Sequence, residues 1–189
     1  MKKPRILAFG GSLRAESFNQ KLVAIAVEGA RDAGAEVTLI SLRDFRMPIF
    51  DADYEAAEGM PEIARKLKAL FAEHEGLIIA SPEYNSSFTA ALKNAIDWVS
   101  RDTSPDEKPL SALSGKFAAI LGASPGGYGG ARSLAQLRPV LENIGISVLP
   151  EQVTVPKAHE AFGADGKLLD PAKNAAVKAL GASLAAKLA

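Results

Sequence analysis

The chain has 189 residues, 22 basic and 22 acidic side chains and no cysteine, so its formal net charge is zero. The absence of cysteine excludes disulfides, thiolate nucleophiles, iron–sulfur clusters and zinc sites built on cysteine. The balanced charge argues against a nucleic-acid binder, which needs a basic surplus to neutralise phosphates.

A hydrophobic fraction of 48% is typical of a globular protein, and the length indicates a single domain over residues 1–189. The longest early apolar run, residues 6–9, is too short for a signal peptide or a membrane span. We therefore expect a cytoplasmic protein without membrane or nucleic-acid partners.

Short apolar runs alternate with amphipathic stretches along the chain. In chain order, the pattern predicts a strand at 5–10, a helix at 18–33, a strand at 37–42, a helix at 60–75, a strand at 77–81, a helix at 88–100, a strand at 116–123, a helix at 132–144, strand segments at 147–149 and 153–155, and a helix at 172–188. Residues 43–59 form the longest irregular stretch, a length typical of functional loops.

Strands that are apolar throughout predict a sheet covered on both faces. The repeated strand–helix alternation predicts parallel strands joined by right-handed crossovers. The fold class is therefore α/β, a three-layer doubly wound parallel sheet. In such sheets ligands bind beyond the carboxyl ends of the strands, so the loops that follow the strands are the candidate site.

Loop 1, residues 10–19, follows the first strand and contains Ser12, Arg14, Ser17 and Asn19 after two glycines. It leads into a helix whose free N–H groups favour an anion, and a guanidinium with hydroxyl donors suits a terminal phosphate. Alternatively, Ser17 or Asn19 only caps the helix. The glycine spacing fits neither a dinucleotide fingerprint nor a Walker A loop.

Loop 2, residues 81–87, follows the third strand. It is stiffened by a proline and carries an aromatic ring and an amide, which suit a flat heterocycle; the residues are Pro82, Glu83, Tyr84 and Asn85. An ordinary turn is the alternative.

Loop 3, residues 124–130, follows the fourth strand and has four glycines within five residues, including Gly126 and Gly127. Such a run lets backbone N–H groups approach a planar ligand, although a flexible turn is the simpler reason for it. We expect the three loops to meet at one end of the sheet.

The segments GSLRAESFN (11–19), SPEYNSSFTAALKNAIDWVS (81–100) and SPGGYGGARSLAQLRPVL (124–141) resemble the NADPH-dependent FMN reductase family, and within it most of all the bacterial quinone/chromate reductase and azoreductase branch. The resemblance extends from Arg5 to about Val155. It implies a flavodoxin-like five-stranded sheet of strand order 2-1-3-4-5, tightly bound FMN with NADPH or NADH as co-substrate, and a homodimer or homotetramer.

The resemblance also implies site residues. It puts the FMN phosphate on Ser12, Arg14, Ser17 and Asn19, and the isoalloxazine and ribityl groups against Pro82, Glu83, Tyr84 and Asn85. Ser124, Gly126 and Gly127 complete the pocket. Arg101 and Tyr128 are candidate substrate-binding residues; Arg101 would face an anionic acceptor or the NADPH phosphate, or else would only complement the helix dipole.

The implied reaction passes hydride from NAD(P)H through FMN to quinones, with chromate, azo compounds or ferric species as further small-molecule acceptors. Because the cofactor carries the hydride chemistry, we assign no catalytic side chain and no metal. We expect His74, one of two histidines, to lie on the surface. The alternative function is a flavodoxin-type electron carrier, but such carriers are expected to be strongly acidic, whereas this chain is balanced.

Overall fold

The computed structural model describes residues 3–189, which form a five-stranded sheet with helices on both faces. The strands are β1 (Arg5–Gly10), β2 (Glu36–Ser41), β3 (Gly76–Ala80), β4 (Phe117–Ala123) and β5 (Ser147–Val155). Neighbouring strands pair in parallel in the order β2-β1-β3-β4-β5. The predicted fold class and strand order are confirmed.

The helices of the described residues are α1 (Phe18–Asp32), α2 (Ala52–Glu58), α3 (Glu62–Glu73), α4 (Ala90–Val99), α5 (Ala131–Asn143), α6 (Ala158–Ala161) and α7 (Pro171–Leu188). The helices predicted at 18–33, 60–75, 132–144 and 172–188 agree with α1, α3, α5 and α7 to within two residues at each end.

The hydrophobic core lies in two layers, one on each face of the sheet. In β1, Ile6 and Ala8 face α1 and α7, whereas Leu7 and Phe9 face α3, α4 and α5, and all four side chains are fully buried. Both faces of the sheet are therefore covered, as the apolar strands predict. A ligand can reach the sheet only at its ends, where the strands begin or stop.

Three local predictions need correction. The helix predicted at 88–100 starts at Ala90, because Thr89 caps it and accepts a hydrogen bond from the Leu92 N–H. Residues 43–59 are not irregular throughout, since Asp51 caps the short helix α2. The last strand is continuous, with a register shift opposite the stretch from Ala118 to Ile120 that absorbs the polar residues in its middle.

The prediction that His74 lies on the surface is wrong. The residue is only 6% exposed at the end of α3. Its Nδ1 donates to the Leu70 carbonyl (2.6 Å) and its Nε2 bonds to the hydroxyl of Thr38 (2.8 Å). Thr38 lies 36 positions earlier in the chain, on β2, and the local sequence around His74 gives no sign of that contact.

Among residues 3–189, no helix is long and apolar enough to cross a membrane.

Candidate functional site

Loops 1, 2 and 3 meet at the carboxyl end of the sheet, where β1, β3 and β4 stop. Residues from all three loops line one cleft: Ser12, Arg14, Ser17, Phe18, Asn19, Pro82, Glu83, Tyr84, Ala123, Ser124 and Pro125. A neighbouring cavity of about 370 Å³ continues the cleft toward the start of α4, lined by Gly11, Ser12, Leu13, Arg14, Tyr84, Thr89, Ala90 and Ala91. The structure therefore brings together most of the residues that the sequence singles out.

Loop 1 presents hydrogen-bond donors that lack partners. Ser12 and Ser17 are 5% and 3% exposed, yet the backbone N–H of neither bonds to any residue of the described chain. Their hydroxyl oxygens accept from the N–H groups of Arg14 (3.2 Å) and Gln20 (3.3 Å), which leaves both hydroxyl hydrogens free to donate. Buried unpaired donors in loop 1, just before α1, are typical of a site that accepts an anion.

Arg14 adds a full positive charge to these donors. Its side chain is exposed, lies 5.9 Å from the ring of Phe18, and has no ion pair or hydrogen bond among the residues described. An unpaired guanidinium beside a helix N-terminus favours a phosphate, which it can contact with two parallel hydrogen bonds.

Asn19 connects loop 1 to the end of β4. Its amide nitrogen donates to the Ala123 carbonyl (2.8 Å) and its amide oxygen accepts from the Ala123 N–H (2.9 Å). The residue is 3% exposed. The Asn19 side chain therefore fixes loop 1 against the end of β4, where loop 3 begins. Its backbone N–H, in the first turn of α1, is the donor that remains for an anion.

Loop 2 contains a tight two-residue turn. Tyr84 and Ser87 exchange two backbone hydrogen bonds (2.9 and 3.0 Å) around Asn85 and Ser86, whose φ angles are +50° and +65°. Left-handed values at both central residues define a type I′ turn, in which asparagine is favoured at the first position. The turn holds the ring of Tyr84 at the cleft, where it is 51% exposed.

The first turns of α5 fix loop 2 in place. The hydroxyl of Ser87 donates to the Gln136 side chain, which in turn donates to the Ser86 carbonyl, both at 2.7 Å. The Ser133 hydroxyl donates to the carbonyl of Pro82 (3.0 Å). A backbone in sparsely populated conformations persists only when its surroundings hold it, and α5 supplies those contacts.

A charged pair joins loop 2 to the first turn of α5, which directly follows loop 3. The carboxylate of Glu83, whose side chain is 6% exposed, accepts from the Arg132 Nε (2.6 Å) and from the Arg132 backbone N–H (3.2 Å). The guanidinium of Arg132 lies 4.6 Å from the ring centroid of Tyr128. Glu83 is thus bonded to a structural partner. Tyr128, which is exposed and does not line the cleft, is held near loop 2 through this cation–π contact with Arg132.

Loop 3 is anchored at both ends. The N–H of Ser124 donates to the Val155 carbonyl (3.2 Å), and the Ser124 carbonyl accepts from the N–H of Ala158 (3.0 Å). Gly129 has a φ of +61°, and a Cβ there would lie 2.6 Å from the backbone nitrogen of Pro156, so only glycine fits.

The middle of loop 3 is open. Gly126 and Gly127 are exposed, and a Cβ added to Gly127 would meet no atom within 4 Å. No residue of the described chain accepts a hydrogen bond from either N–H. These two amides are therefore available to a ligand, whereas Gly129 serves packing.

Within one chain, Arg101 is not brought to the three loops. It follows α4, whose ten residues carry the chain about 15 Å back toward the amino end of the sheet. Its Nε donates to both oxygens of Glu55 (2.9 and 3.0 Å), and its guanidinium lies 5.3 Å from the Phe50 ring. The hydrogen bond to Glu55 raises the pKa of Arg101.

Besides Ser133 and Gln136, three further residues shape the site and are not predicted from the sequence. Arg132 binds Glu83, Thr89 donates from its hydroxyl to the Gly11 carbonyl (2.5 Å), and Gln20 accepts from the N–H of Gly10 (3.1 Å). Each lies in the first turn or at the cap of a helix that follows one of the loops. That position is the signal by which they could have been found.

Known proteins are similar to this chain in sequence and in fold. The sequence profile of the NADPH-dependent FMN reductases matches residues 4–160. An NAD(P)H-dependent FMN reductase of Pseudomonas aeruginosa is 37% identical over 167 residues, which is 88% of this chain and 85% of the relative. A quinone reductase of Escherichia coli K12 is 38% identical over 141 residues, covering 74% of this chain and 70% of the relative.

A solved structure is also similar. FerB, a flavoenzyme NAD(P)H:(acceptor) oxidoreductase from Paracoccus denitrificans, superposes with a TM-score of 0.77 at 27% identity, over 97% of this chain and 96% of that one.

Proposed function

The chain belongs to the NADPH-dependent FMN reductase family, and on that premise we propose that it is an FMN-containing oxidoreductase that passes hydride from NAD(P)H to quinones. The observation that carries the proposal is the convergence of three kinds of group in one cleft. These are the unpaired donors of loop 1, the aromatic turn of loop 2 and the start of loop 3 at Ser124 and Pro125, which the open amides of Gly126 and Gly127 follow directly.

FMN fits this set of donors. We place its dianionic phosphate on the hydroxyls of Ser12 and Ser17, the guanidinium of Arg14 and the first turn of α1, which contains the Asn19 N–H. These donors otherwise have no acceptor. A neutral ligand would leave the charge of Arg14 and the N-terminus of α1 unused.

The flavin ring would lie against loops 2 and 3. We assign Pro82 and the ring of Tyr84 to its flat surface, and Asn85 with the N–H groups of Gly126 and Gly127 to its polar edge. Ser124 and Glu83 shape the pocket by fixing the loops, since the carboxylate of Glu83 is already bonded to Arg132.

When bound, FMN supplies the hydride chemistry, accepting from NAD(P)H and giving to the acceptor. The chain binds the phosphate, orients the ring and offers N–H groups that stabilise negative charge at the ring edge. Hydride transfer needs no general base, which agrees with a cleft lined by no histidine and by one carboxylate that is already paired. Tyr128, at the rim, would contact the acceptor.

We propose quinones as the main acceptors, in line with the quinone reductase of E. coli K12. Chromate, azo compounds and ferric species would be reduced incidentally, because an accessible flavin face transfers electrons to many oxidants. A cytoplasmic location belongs to the same proposal, since NAD(P)H is supplied there and the chain has no cysteine that would need an oxidising compartment.

We also propose that the protein forms a homodimer, or a homotetramer built from it. A groove of about 500 Å³ runs between α4 and α5, lined by Lys93, Ile96, Asp97, Ser100, Pro139, Val140, Asn143 and Ile144. Ile49, 84% exposed, adds an apolar side chain near the opposite side of α4. Sedimentation equilibrium would give the oligomeric state, and a monomer at micromolar concentration would contradict this part.

The experiment that tests the function is a steady-state assay with the purified, FMN-loaded protein, NADPH and a benzoquinone, without any other protein. The proposal predicts continuous NADPH oxidation coupled to quinone reduction. A flavodoxin-type carrier, the alternative, would bind FMN but would oxidise NADPH only after a separate reductase is added.

A further inference from the structure

A further cavity adjoins the 370 Å³ cavity of the cleft, and the proposed function does not use it. Its volume is about 300 Å³, and it is lined by Leu13, Leu42, Phe45, Arg46, Met47, Ala91, Asn94 and Ala95. It lies between α4 and the segment that follows β2. Leu13 and Ala91 also line the 370 Å³ cavity of the cleft, so a ligand seated over loop 2 can extend into it.

The outer wall of this cavity is fixed to α4. The Asn94 side chain accepts from the Phe50 N–H (2.8 Å) and donates to the Pro48 carbonyl (2.9 Å). The buried Trp98 donates to the same carbonyl (2.8 Å). The cavity is therefore built by specific contacts, and the polar atoms of Asn94 are already used by the wall.

The lining combines apolar surface with one free cation. Leu42, Phe45 and Met47 offer a flat apolar wall, and no acidic side chain lines the cavity. Arg46 is exposed at its rim, and its guanidinium has no ion pair or hydrogen bond within residues 3–189. This chemistry suits a ligand with a flat ring and an anionic group.

We propose that this cavity binds the 2′-phosphoadenosine end of NADPH, with the 2′-phosphate on Arg46. The inference rests on the proposed function, which brings the nicotinamide end of the same molecule to the neighbouring cleft. Arg14 is assigned to the phosphate of FMN, so Arg46 is the remaining cation among the residues that line the two connected cavities. The volume lies within the range of small-molecule pockets.

The consequence is a preference for one nucleotide. NADPH and NADH differ only at the 2′-phosphate, so a guanidinium that binds this group selects NADPH without taking part in hydride transfer. A hydrogen-bonded contact between two charged groups changes an affinity by roughly 10- to 100-fold.

The test compares Arg46→Ala and Arg46→Glu with Arg43→Ala. Arg43 is an exposed cation three positions earlier that does not line the cavity, so it controls for the general field of the segment. The ratio of kcat/KM for NADPH to that for NADH should fall about 10-fold or more in Arg46→Ala and further in Arg46→Glu. The Arg43→Ala variant should keep the ratio of the wild type.

A binding measurement gives a readout that does not depend on turnover. Isothermal titration of the FMN-loaded protein with adenosine 2′,5′-bisphosphate should show binding that Arg46→Ala weakens about 10-fold or more. Adenosine 5′-monophosphate, which lacks the 2′-phosphate, should bind equally to wild type and variant.

Three results would overturn the inference while leaving the proposed function intact: an unchanged nucleotide ratio in the Arg46 variants, an equal loss with both nucleotides, or a shift of these variants to monomers, which would show that a second copy covers the cavity. Failure of the proposed function would look different, because the wild type would then oxidise neither NADPH nor NADH.

Discussion

The two ends of the central sheet treat polar groups in opposite ways. At the carboxyl end, Arg14 has no ion pair or hydrogen bond in the described chain, and the N–H groups of Ser12, Ser17 and Gly127 have no acceptor there. At the amino end, most charged and polar side chains are bonded to other groups of the fold. The difference indicates that the polar groups at the carboxyl end are free to bind a ligand, whereas those at the amino end contribute to the stability of the fold.

Paired charged groups lie at the amino end. The Nη2 of Arg5 lies 3.3 Å from a carboxylate oxygen of Glu75, although the buried Nε of Arg5 has no hydrogen-bond partner among the described residues, and the ammonium of Lys116 donates to the His74 carbonyl. Burial lowers the pKa of Lys116. The ammonium of Lys68 lies 2.5 Å from a carboxylate oxygen of Glu107 and also donates to the Arg101 carbonyl. Buried groups of this kind are costly when unpaired, so changes here should act on unfolding rather than on ligands.

Removing Arg14 should produce the largest effect on ligand binding. Arg14→Ala should weaken FMN binding by about 1.5–3 kcal/mol, the range for a hydrogen bond to a charged group. The free energy of unfolding of the apo-protein should change little, because the exposed side chain makes no ion pair or hydrogen bond with the described residues of the fold and lies only at the outer limit of a cation–π contact with Phe18. Fluorescence titration with FMN measures the affinity, and Arg31→Ala, at the other end of α1, is the control. Equal affinity in Arg14→Ala and wild type would show that the end is not a phosphate site.

Removing His74 should do the opposite. His74→Ala loses hydrogen bonds to Leu70 and Thr38 in a buried position, which should lower the free energy of unfolding by about 1–3 kcal/mol. FMN affinity should be unaffected. Denaturant unfolding of the apo-protein measures the change, and His159→Ala, at an exposed position, should have little effect. A loss of FMN affinity in His74→Ala would mean that the two ends are not independent.

Arg132 lies at the carboxyl end of the sheet, but its charge is paired with Glu83. Its removal therefore tests whether a paired group at this end acts on catalysis or on stability. Arg132→Ala leaves the buried carboxylate of Glu83 unpaired and removes a contact between loop 2 and the first turn of α5. FMN should stay bound, while kcat for quinone reduction should fall about 10-fold because the ring is less well oriented.

The control for Arg132 is the double variant Glu83→Gln/Arg132→Gln, which removes both charges and leaves no unpaired carboxylate. It should recover part of the activity. If Arg132→Ala loses stability but keeps wild-type kcat, the pair is structural only.

The smallest effect concerns acid stability at the amino end. The hydrogen bond from Lys68, followed by those from Ser111 and Thr103, lowers the pKa of Glu107 from 4.5 to about 2. Because the unfolded chain keeps the ordinary pKa, ionised Glu107 stabilises the fold above pH 4.5, and this contribution is lost as the pH falls from 4.5 toward 2.

Glu107→Gln should therefore cost about 1 kcal/mol at neutral pH and should make the decline of stability in acid shallower. Denaturant unfolding at several pH values measures both, with the exposed Glu62→Gln as control. A parallel decline in wild type and Glu107→Gln would show that Lys68 contributes nothing through this carboxylate.

The strands follow closely from the sequence, because a parallel sheet covered on both faces needs continuous apolar runs, and the runs are distinct. Their order follows from the resemblance to the FMN reductases and not from the apolar runs. The position of the site follows as well, since the carboxyl ends of parallel strands meet. The apolar run at 77–81, for example, leads directly into the turn that carries Tyr84. The prediction needs no long-range contact.

Contacts between distant residues could not be predicted in this way. The side chain of Asn19 bonds to Ala123, which lies 104 positions away, so the sequence of loop 1 does not show that this amide already has a partner. The close crossing of α1 and α7 is similar. A Cβ on Gly29 would lie 2.0 Å from the Lys178 carbonyl, and one on Gly181 would lie 2.0 Å from that of Ala26. Each glycine is required by the close approach of the other helix, and the sequence around the glycine does not show that approach.

The central claim is that the open end of the sheet holds one FMN per chain and uses it to couple NAD(P)H to a quinone. The direct measurement is anaerobic. Apo-protein is titrated with FMN, then mixed with NADPH, and finally with a benzoquinone, while the flavin absorbance is followed. One flavin should bind per chain, and its absorbance should be bleached by NADPH and restored by the quinone with no other protein present. Flavin that is not retained, or that stays oxidised in NADPH, would contradict it.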